Sequence, residues 1–353
     1  MLKVLHLIPG LAMGGAETLV KDYALLIDKT KFEINIICLF RQDTPYEKIL
    51  ADAGINVIYL SDYIALSKKN NFAAKALSKV MQYFAVRKFI KAIKPDVIHT
   101  HLRVNTYIKF ALPDKNTRIL HMVHNELENF FDNSFMGKLE FNALKFLIKN
   151  FNLRFITLHE RMQREINNLF NVNDTLILNN GIDFARFDNA KDKALMRREL
   201  NIQDDAFVIG HVGRFNAAKN HDLLVKIFKE ICRLNAKAFL LMVGDGELRE
   251  FIEHDLKDYQ DKYLILSDRT DVPDILSAMD VFVFPSLYEG LGIALVEAQK
   301  MMLPCIISNT IPIAAQISNL CCVQDLNNPP LDWANACINF KPDKISLEHE
   351  KYS

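Results

Sequence analysis

The fold of this chain is decided by one stretch, Val281-Phe282-Val283-Phe284-Pro285-Ser286-Leu287-Tyr288-Glu289-Gly290-Leu291-Gly292-Ile293-Ala294-Leu295-Val296-Glu297. Its first residues form a continuous apolar run that stops at a proline, which is typical of a buried parallel strand. The residues from Gly292 to about Met302 predict a helix. Glycines at 290 and 292 leave the first N–H groups of that helix uncovered, where the helix dipole favours an anion.

The same stretch holds two glutamates with seven residues between them. Glu289 lies in the predicted loop, and Glu297 lies more than one turn inside the predicted helix. Carboxylates accept hydrogen bonds from the vicinal hydroxyls of a pyranose or a ribose, whereas phosphates would not favour them. The pattern therefore suits a nucleotide sugar, although the spacing alone also fits an exposed loop glutamate and a solvated helix glutamate.

Apolar strand candidates alternate with amphipathic helices along both halves of the chain, which is typical of doubly wound parallel sheets. We expect an α/β protein with two Rossmann-like domains that face a central cleft: residues 1–182, a linker over 183–204, and residues 205–353. The predicted strands are Val4–Ile8, Glu33–Leu39, Asn56–Leu60, Val97–Thr100 and Arg118–Val123 in the first half, and Phe207–Val212, Ala238–Val243, Tyr263–Leu266, Val281–Phe284 and Cys305–Ile307 in the second.

The formal net charge of zero over 353 residues argues against a nucleic-acid binder that relies on bulk charge. The charge is nevertheless uneven, because residues 1–182 carry 24 Lys and Arg against 17 Asp and Glu. Two basic amphipathic stretches, Lys79–Lys94 and Lys138–Arg154, contribute to this excess. The basic half could contact an anionic membrane or a diphosphate-linked lipid acceptor, or the excess could be a solvated surface without a partner.

The six cysteines show no C-x-x-C spacing, so we expect neither a disulfide framework nor a zinc site. The first nine residues, interrupted by His6 and Pro9, make a poor signal peptide and predict a first buried strand. No run reaches the roughly 18 to 20 apolar residues of a membrane span. We expect a cytoplasmic protein that is at most peripheral at the inner face of the cell membrane.

Three further motifs accompany the two-glutamate stretch: Asn180-Gly181-Ile182-Asp183, Gly213-Arg214-Phe215-Asn216-Ala217-Ala218-Lys219-Asn220-His221 and Gly244-Asp245-Gly246-Glu247-Leu248. In this order they resemble the retaining glycosyltransferases of family 4, and residues 209–312 especially resemble the EpsF-like exopolysaccharide branch. The similarity is dense over residues 205–312, patchier over 1–183, and fades after about residue 335.

The resemblance implies the two-domain GT-B fold and transfer of a sugar, with retention, from a nucleotide-sugar donor to a glycan or polyprenyl-diphosphate-linked acceptor. It implies no cofactor and no metal, in keeping with the absence of any Asp-x-Asp pair from the sequence. Family members end in helices that cross back onto the first domain. Since the sequence stops at Ser353, we expect that crossover to be short or missing.

The resemblance also assigns roles to residues. His124, Arg214, Lys219 and Glu289 are the expected catalytic residues, and the two cations would stabilise the charge that develops on the leaving diphosphate. Glu289 would hold hydroxyls of the donor sugar and Glu297 the ribose. The expected substrate-binding residues are Gly14, Gly15, Glu17, His101, Asn125, Gly213, Gly244, Asp271, Val272, Gly290, Leu291, Gly292, Ile293 and Glu297.

The histidines invite a metal interpretation that the sequence does not complete. His99 and His101 alternate with Thr100 at the end of a predicted strand and so share one side of it, while His121 and His124 end the next strand. No clustered Asp or Glu supplies the other ligands of a metal, so none is expected. We interpret His6, together with His159 and His254, as an ordinary structural or surface residue.

Two other functions share the motifs. A sugar-nucleotide 2-epimerase of related architecture would form product without an acceptor, and a catalytically silent subunit would bind the donor without turnover. The chain lacks the G-x-G-x-x-G and G-x-x-x-x-G-K-[ST] patterns, so nicotinamide and nucleoside-triphosphate chemistry have no support. Gly14-Gly15, which follows the first strand, is either part of the site or a tight turn.

Overall fold

The computed structural model describes residues 1–64, 72–124, 134–178 and 181–342. The chain divides into two compact units, Met1–Asn179 and Asn180–Ser353. Residues 183–204, which we expected to be a linker, fall within the second unit. There Arg197 is buried, and it donates a hydrogen bond to Asp280 at 2.7 Å and another to the carbonyl of Ala278 at 3.0 Å.

In its described residues the first unit has a sheet of seven parallel strands in the order β3-β2-β1-β4-β5-β6-β7. The strands are β1 (Leu2–Ile8), β2 (Phe32–Cys38), β3 (Asn56–Tyr59), β4 (Val97–His101), β5 (Arg118–Met122), β6 (Arg154–Thr157) and β7 (Leu176–Ile177). The helices are α1 (Gly15–Leu26), α2 (Pro45–Asp52), α3 (Phe72–Ile93), α4 (Asn105–Ala111), α5 (Phe135–Phe151) and α6 (Glu160–Phe170).

The second unit has six parallel strands in its described part, in the order β10-β9-β8-β11-β12-β13. They are β8 (Phe207–Val212), β9 (Ala238–Val243), β10 (Tyr263–Leu266), β11 (Val281–Phe284), β12 (Cys305–Ser308) and β13 (Cys321–Gln324). The helices are α7 (Ala185–Asp188), α8 (Lys193–Glu199), α9 (His221–Leu234), α10 (Arg249–Asp255), α11 (Val272–Ser277), α12 (Ile293–Lys300) and α13 (Pro330–Asn339).

Both faces of the first sheet are buried, which explains the continuous apolar runs of its strands. In β1, Leu5 and Leu7 join the core formed with α3, α4 and α5, while Val4 and Ile8 join the core formed with α1 and α2. His6 interrupts this second apolar row, and its side chain is buried. A polar side chain in a core requires partners, and those of His6 come from β4.

The strand order of each sheet reverses once, between β1 and β4 in the first unit and between β8 and β11 in the second. Open parallel sheets bind ligands outside the carboxyl ends of the strands at such a reversal. The Gly14-Gly15 loop follows β1, and His101 ends β4. The Gly213 loop follows β8, and Glu289 follows β11. These predicted site residues lie at the reversals, whereas Gly244, which follows β9, and Asp271, which follows the edge strand β10, lie further along the second sheet.

The two doubly wound parallel sheets confirm the predicted fold class, and all ten predicted strands are present to within one or two residues at either end. The prediction missed β6, β7 and β13. All six cysteines are free thiols, and three of them are buried. None of the helices in the described ranges has both the length and the apolar character needed to span a bilayer.

Candidate active site

The centre of the candidate site in the second unit is an ion pair between Lys219 and Glu289. Lys219 Nζ lies 2.5 Å from Glu289 Oε1, and the two side chains are only 16% and 10% exposed. The ammonium also lies 4.7 Å from the ring centre of Phe284, the last residue of β11. The structure thus brings together two residues predicted to be catalytic, one from each side of the strand reversal.

Backbone contacts hold the two loops that carry this pair. Leu287 N donates to the carbonyl of Ala218 at 2.8 Å, and Asn220 Nδ2 donates to the carbonyl of Pro285 at 3.2 Å. Since these bonds join the loop after β11 to the loop after β8, Lys219 and Glu289 are fixed relative to each other. Such preorganisation is what a charged group needs in order to act on a reacting bond.

Glycines are required where the loops after β8 and β9 touch. A Cβ on Gly244, whose φ is +148°, would lie 2.0 Å from the carbonyl oxygen of Gly213. At Gly213 itself a Cβ would lie 3.0 Å from Lys219 Cε. These two predicted substrate-binding residues therefore shape the loops, since Gly244 permits their close approach and Gly213 leaves room for the lysine side chain.

Arg214 is placed differently from Lys219. Its guanidinium lies 3.6 Å from Glu247, and both side chains are more than half exposed. An exposed pair of this kind contributes about 0 to 1 kcal/mol, so Arg214 can leave Glu247 at little cost. We expected Arg214 and Lys219 to converge on one ligand; in this structure each is paired with a different glutamate.

The helix predicted after Gly292 is present as α12, and glycines stand at its start. Gly292 adopts a left-handed conformation with φ +79° and is the N-cap residue of that helix. Gly290, Leu291 and Ile293 surround it, and Glu297 lies on the second turn of α12 with its side chain largely buried. The helix start and both glutamates therefore belong to one segment.

Asp271 precedes α11, of which Val272 is the first residue, and its carboxylate is already occupied. Arg269 Nε donates to Asp271 Oδ1 at 2.7 Å, and Arg269 Nη2 donates to the other oxygen. These bonds from Arg269 hold the pKa of Asp271 below its ordinary value. A ligand at this position would meet backbone groups of residues 269–272 rather than the carboxylate.

In the first unit the Gly14-Gly15 loop begins α1, with Gly14 as its N-cap residue. A Cβ at position 14 would lie 2.5 Å from Glu17 Oε2, so the Glu17 carboxylate folds back over the start of the helix. A carboxylate there occupies the position that a phosphate would favour. The arrangement suits a ligand that donates hydrogen bonds, such as a hydroxyl group.

A hydrogen-bonded chain of three imidazoles lies at the strand reversal of the first unit. His6 Nδ1 is 3.0 Å from His101 Nε2, and His101 Nδ1 is 3.0 Å from His124 Nε2. His99 packs against the chain, with its ring centre 4.2 Å from that of His101, and its buried Nε2 has no hydrogen-bond partner. As predicted, His99 and His101 share one side of β4 and Thr100 lies on the other.

These histidines are neutral, because burial disfavours their charged form. Desolvation lowers the pKa of His6 to about 4 and that of His124 to about 4. It also lowers the pKa values of His99 and His101, whose neighbouring histidines add a repulsive contribution. The interpretation of His6 as an ordinary histidine missed its hydrogen bond to His101, because His101 is 95 residues away in the sequence.

The same cluster is the one group that could hold a metal ion in the part of the chain that the structure describes. Ring nitrogens of His6, His99 and His101 lie within 4.8 Å of one another, and imidazole is a ligand for Zn²⁺. His6 Nδ1 and His101 Nε2 are hydrogen-bonded to each other, so an ion bound through those atoms would have to displace that hydrogen bond. In this structure the contacts are those of a neutral imidazole network.

Sequence reasoning also missed a buried glutamate on the opposite side of the first sheet. Glu140 accepts hydrogen bonds from Asn105 N at 2.7 Å, Asn105 Nδ2 at 2.8 Å and Thr106 N at 3.3 Å, all at the start of α4. Burial raises its pKa, and these bonds oppose that rise. The one sequence signal was a single acid on an apolar helix face.

Asn125, predicted to bind substrate, lies outside the described residues.

Two family models match the chain. The model described as "Glycosyltransferase Family 4" matches residues 13–186, and the model described as "Glycosyl transferases group 1" matches residues 192–320. Putative glycosyltransferase EpsF of Bacillus subtilis is 30% identical over 328 residues, which are 88% of this chain and 79% of EpsF. UDP-Gal:alpha-D-GlcNAc-diphosphoundecaprenol alpha-1,3-galactosyltransferase of Escherichia coli is 29% identical over 294 residues, 80% of this chain and 73% of the relative.

Solved structures share the fold. HepE of Anabaena, in complex with UDP-glucose, superposes with a TM-score of 0.71 at 15% identity, covering 100% of this chain and 92% of HepE. WaaG, described as a glycosyltransferase involved in lipopolysaccharide biosynthesis, gives a TM-score of 0.67 at 15% identity, covering 94% and 88%.

The two sheets, their strand orders and these superpositions define a protein of the GT-B class. The chain belongs to the group 1 glycosyltransferases of family 4, as the resemblance to the EpsF-like branch implied, and is a glycosyltransferase.

Proposed function

We propose that the protein transfers a hexose or N-acetylhexosamine, with retention and without a metal, from a nucleotide-diphosphate sugar to a glycan or polyprenyl-diphosphate-linked acceptor. UDP is the first choice of nucleotide, and the pathway is the assembly of a bacterial surface polysaccharide such as exopolysaccharide, capsule or lipopolysaccharide. The observation that carries the proposal is the largely buried Lys219–Glu289 pair at the strand reversal of the second unit.

The names of similar proteins support the choice of substrates. The Escherichia coli relative is named for UDP-Gal and for an undecaprenol-diphosphate acceptor, and a Staphylococcus aureus relative is named for capsular polysaccharide biosynthesis. The HepE structures contain UDP-glucose or UDP. These ligands belong to those proteins, and we extend them here because the same fold carries a cation, two glutamates and a helix start at one reversal.

On this proposal the diphosphate of the donor lies at the start of α12 and against Lys219. Departure of the leaving group builds negative charge on the β-phosphate, which a fixed ammonium and backbone N–H groups stabilise. Arg214, held only by an exposed glutamate, completes the cation pair when it turns onto the phosphate. The absence of an Asp-x-Asp pair from the sequence supports metal-independent transfer.

The carboxylates would hold the hydroxyl groups of the donor. Glu289 would accept from the sugar and Glu297, one turn into α12, from the ribose. His124, with the Gly14-Gly15 loop, would contact the sugar or the acceptor from the first unit. In a front-face displacement the leaving phosphate takes the proton of the acceptor hydroxyl while the new glycosidic bond forms on the face that the phosphate leaves. No protein nucleophile is then needed.

A nucleotide-release assay on the purified full chain with EDTA tests the proposal. UDP- and GDP-sugars are screened with and without a lipid-extract acceptor, and the anomeric configuration of the product is determined by NMR. We expect release that needs one donor and an acceptor and that is lost in Glu289→Gln but kept in Glu250→Gln, an exposed glutamate of α10. An inverted product, or activity that needs added Mg²⁺, would show the mechanism to be wrong.

We also propose that the basic first unit contacts the anionic inner surface of the cell membrane, which would bring it to a lipid-linked acceptor. Helices α3, α4 and α5 pack side by side. Their outer surface exposes large apolar side chains, among them Leu77, Phe84, Phe110 and Phe135, next to lysines. Exposed apolar residues among cations are typical of interfacial helices.

Flotation with liposomes tests this contact. We expect binding to vesicles with anionic lipid at low salt, release at high salt, and loss of binding in Leu77→Ser/Phe84→Ser. Leu234→Ser, a leucine in α9 that is also about half exposed, is the control and should bind like the parent. Absence of binding at low salt would contradict the membrane proposal and leave the transfer proposal intact.

A further inference from the structure

The hydrogen bonds among His6, His101 and His124 constrain one another. A neutral imidazole carries one proton, so one ring nitrogen donates and the other accepts. His101 lies in the middle of the chain and uses both of its nitrogens, one with each neighbour. It therefore donates to one histidine and accepts from the other, and the direction of both hydrogen bonds is set together.

Only two arrangements satisfy these contacts. In one, His6 and His101 each donate from Nδ1, His124 accepts at Nε2, and all three rings carry their proton on Nδ1. In the other, His124 and His101 donate from Nε2, His6 accepts at Nδ1, and all three rings carry it on Nε2. The remaining nitrogen of His124, Nδ1, is a donor in the first arrangement and an acceptor in the second.

We propose that His101 and His6 are positioning residues that couple the tautomer of His124 to their own and hold its ring orientation for its contact with substrate. This inference rests on the proposed role of His124 in sugar transfer. Because the tautomers of the three rings change together, Nδ1 of His124 changes between donor and acceptor only in concert with both partners, whereas an isolated histidine changes alone. His101 thereby acts through His124, and His6 acts through His101.

The surroundings of the chain support this role. The three side chains are nearly completely buried, so water does not compete for their nitrogens. Burial also keeps the rings neutral near pH 7, the state in which the coupling holds. His99 provides a contrast within the same cluster, because it is equally buried and touches the same rings but makes no hydrogen bond through Nε2.

His99→Phe is therefore the matched control for His6→Phe. Both changes replace a buried imidazole by an apolar ring. His6 and His99 are paired in register on the neighbouring strands β1 and β4, and their side chains lie on the same side of the sheet. Only His6→Phe removes a member of the chain. His6→Gln is the conservative variant, because an amide can donate and accept and so can partly replace the imidazole.

The tautomers are read by NMR on the full-length protein with ¹⁵N-labelled histidine at pH 7, without substrate. We expect His6, His101 and His124 to show one shared tautomer, with signals assigned from the single variants. In His6→Phe the ¹⁵N shifts of His124 should move to values of a tautomer mixture, whereas in His99→Phe they should stay unchanged. Different tautomers among the three rings would overturn the proposal.

Kinetics on the active donor and acceptor supply the second measurement. Loss of a partner that orients a metal-bound histidine typically costs about 10- to 100-fold in metal affinity or activity, and we take the same range for the orientation of His124. We expect kcat of His6→Phe to fall by about that factor, with the KM for donor changed less than about twofold, and His6→Gln to recover part of it. Equal losses of kcat in His6→Phe and His99→Phe would refute a role specific to the hydrogen-bonded histidines.

The two measurements separate the two proposals. Because the tautomers are measured without substrate, a shared tautomer with no activity towards any donor would count against the proposed function and not against the chain. Sugar transfer by a protein in which the tautomers of His6, His101 and His124 differ would count only against the proposal on the three histidines. Stoichiometric zinc in the purified protein, found by elemental analysis and lost in His99→Phe, would overturn the hydrogen-bonded chain in favour of a metal site.

Discussion

Removing the charge of Lys219 tests whether the Lys219–Glu289 pair serves stability or catalysis. Lys219→Met leaves the Glu289 carboxylate, now only 10% exposed, without its partner. Loss of one member of a fully buried pair costs about 3 to 5 kcal/mol, and the residual exposure of both side chains reduces this, so we expect about 2 to 4 kcal/mol. The double variant Lys219→Met/Glu289→Gln removes both charges and should recover most of that loss.

The assay is urea unfolding followed by tryptophan fluorescence. The sequence contains one tryptophan, Trp333, and it is fully buried in the core of the second unit. Its signal therefore reports on the unit that holds the pair. We expect the double variant to lie within about 1 kcal/mol of the parent, so that adding Glu289→Gln to Lys219→Met recovers about 1 to 3 kcal/mol, and the Glu289→Gln single variant completes the double-mutant cycle.

Activity should not follow stability. Loss of a group that stabilises transition-state charge typically costs about 2.7 to 4 kcal/mol, or about 10²- to 10³-fold in kcat. We expect the double variant to be folded and to have lost at least that much activity. Additive effects on unfolding would refute the coupling of the pair, and a double variant with parental kcat would refute the catalytic role of Lys219.

Three other perturbations follow from the structure. Between pH 7 and 5, a histidine whose pKa is 6.5 unfolded and about 4 folded lowers stability by about 2 kcal/mol, because the unfolded chain binds the extra proton. Burial lowers the pKa of five described histidines in the first unit and of two, His211 and His221, in the second. Circular dichroism should therefore show unfolding of the first unit in this range before Trp333 responds. Gly244→Ala forces a Cβ against the Gly213 carbonyl and should destabilise the second unit by more than about 2 kcal/mol, whereas Gly54→Ala, whose Cβ meets nothing, should cost about 1 kcal/mol in thermal melts. Glu140→Ala removes the acceptor shared by three donors at the start of α4, of which Asn105 Nδ2 still contacts His121 Nδ1, and should cost about 2 to 4 kcal/mol in urea unfolding followed by circular dichroism.

The predicted strands with the clearest sequence signal are those in which side chains on both faces are buried. Val281–Phe284 and Ala238–Val243 are continuous apolar runs because each strand lies between two helical layers. Among the missed strands, β6 (Arg154–Thr157) has three buried residues, but it begins shortly after the end of α5, so its apolar residues are not distinguished from those of the helix. The other two missed strands lack the signal. Strand β7 is two exposed residues, Leu176–Ile177, and β13 contains Cys321–Gln324, of which none is fully buried. Their pairing depends on a neighbouring strand and leaves no pattern in their own sequence.

The site residues were predictable as types but not as partners. Motif resemblance selected Lys219 and Glu289, yet their contact spans 70 residues and requires β8 and β11 to be adjacent. The same holds for His6, whose bond to His101 spans 95 residues and depends on the pairing of β1 with β4. A lone histidine in an apolar strand gives no sign of such a partner.

Both strand reversals contain polar groups that the fold does not need for stability. A buried ion pair contributes little net free energy to folding, since desolvation of the two charges offsets their attraction. A protein with apolar side chains of similar volume at the same positions is often as stable or more stable. The buried imidazoles of the first unit likewise pay for desolvation, and His99 Nε2 lacks even a hydrogen bond. Because these costs fall where parallel sheets bind ligands, we attribute them to function. It follows that an apolar replacement of Lys219 and Glu289 together should fold at least as well as the parent while transferring no sugar.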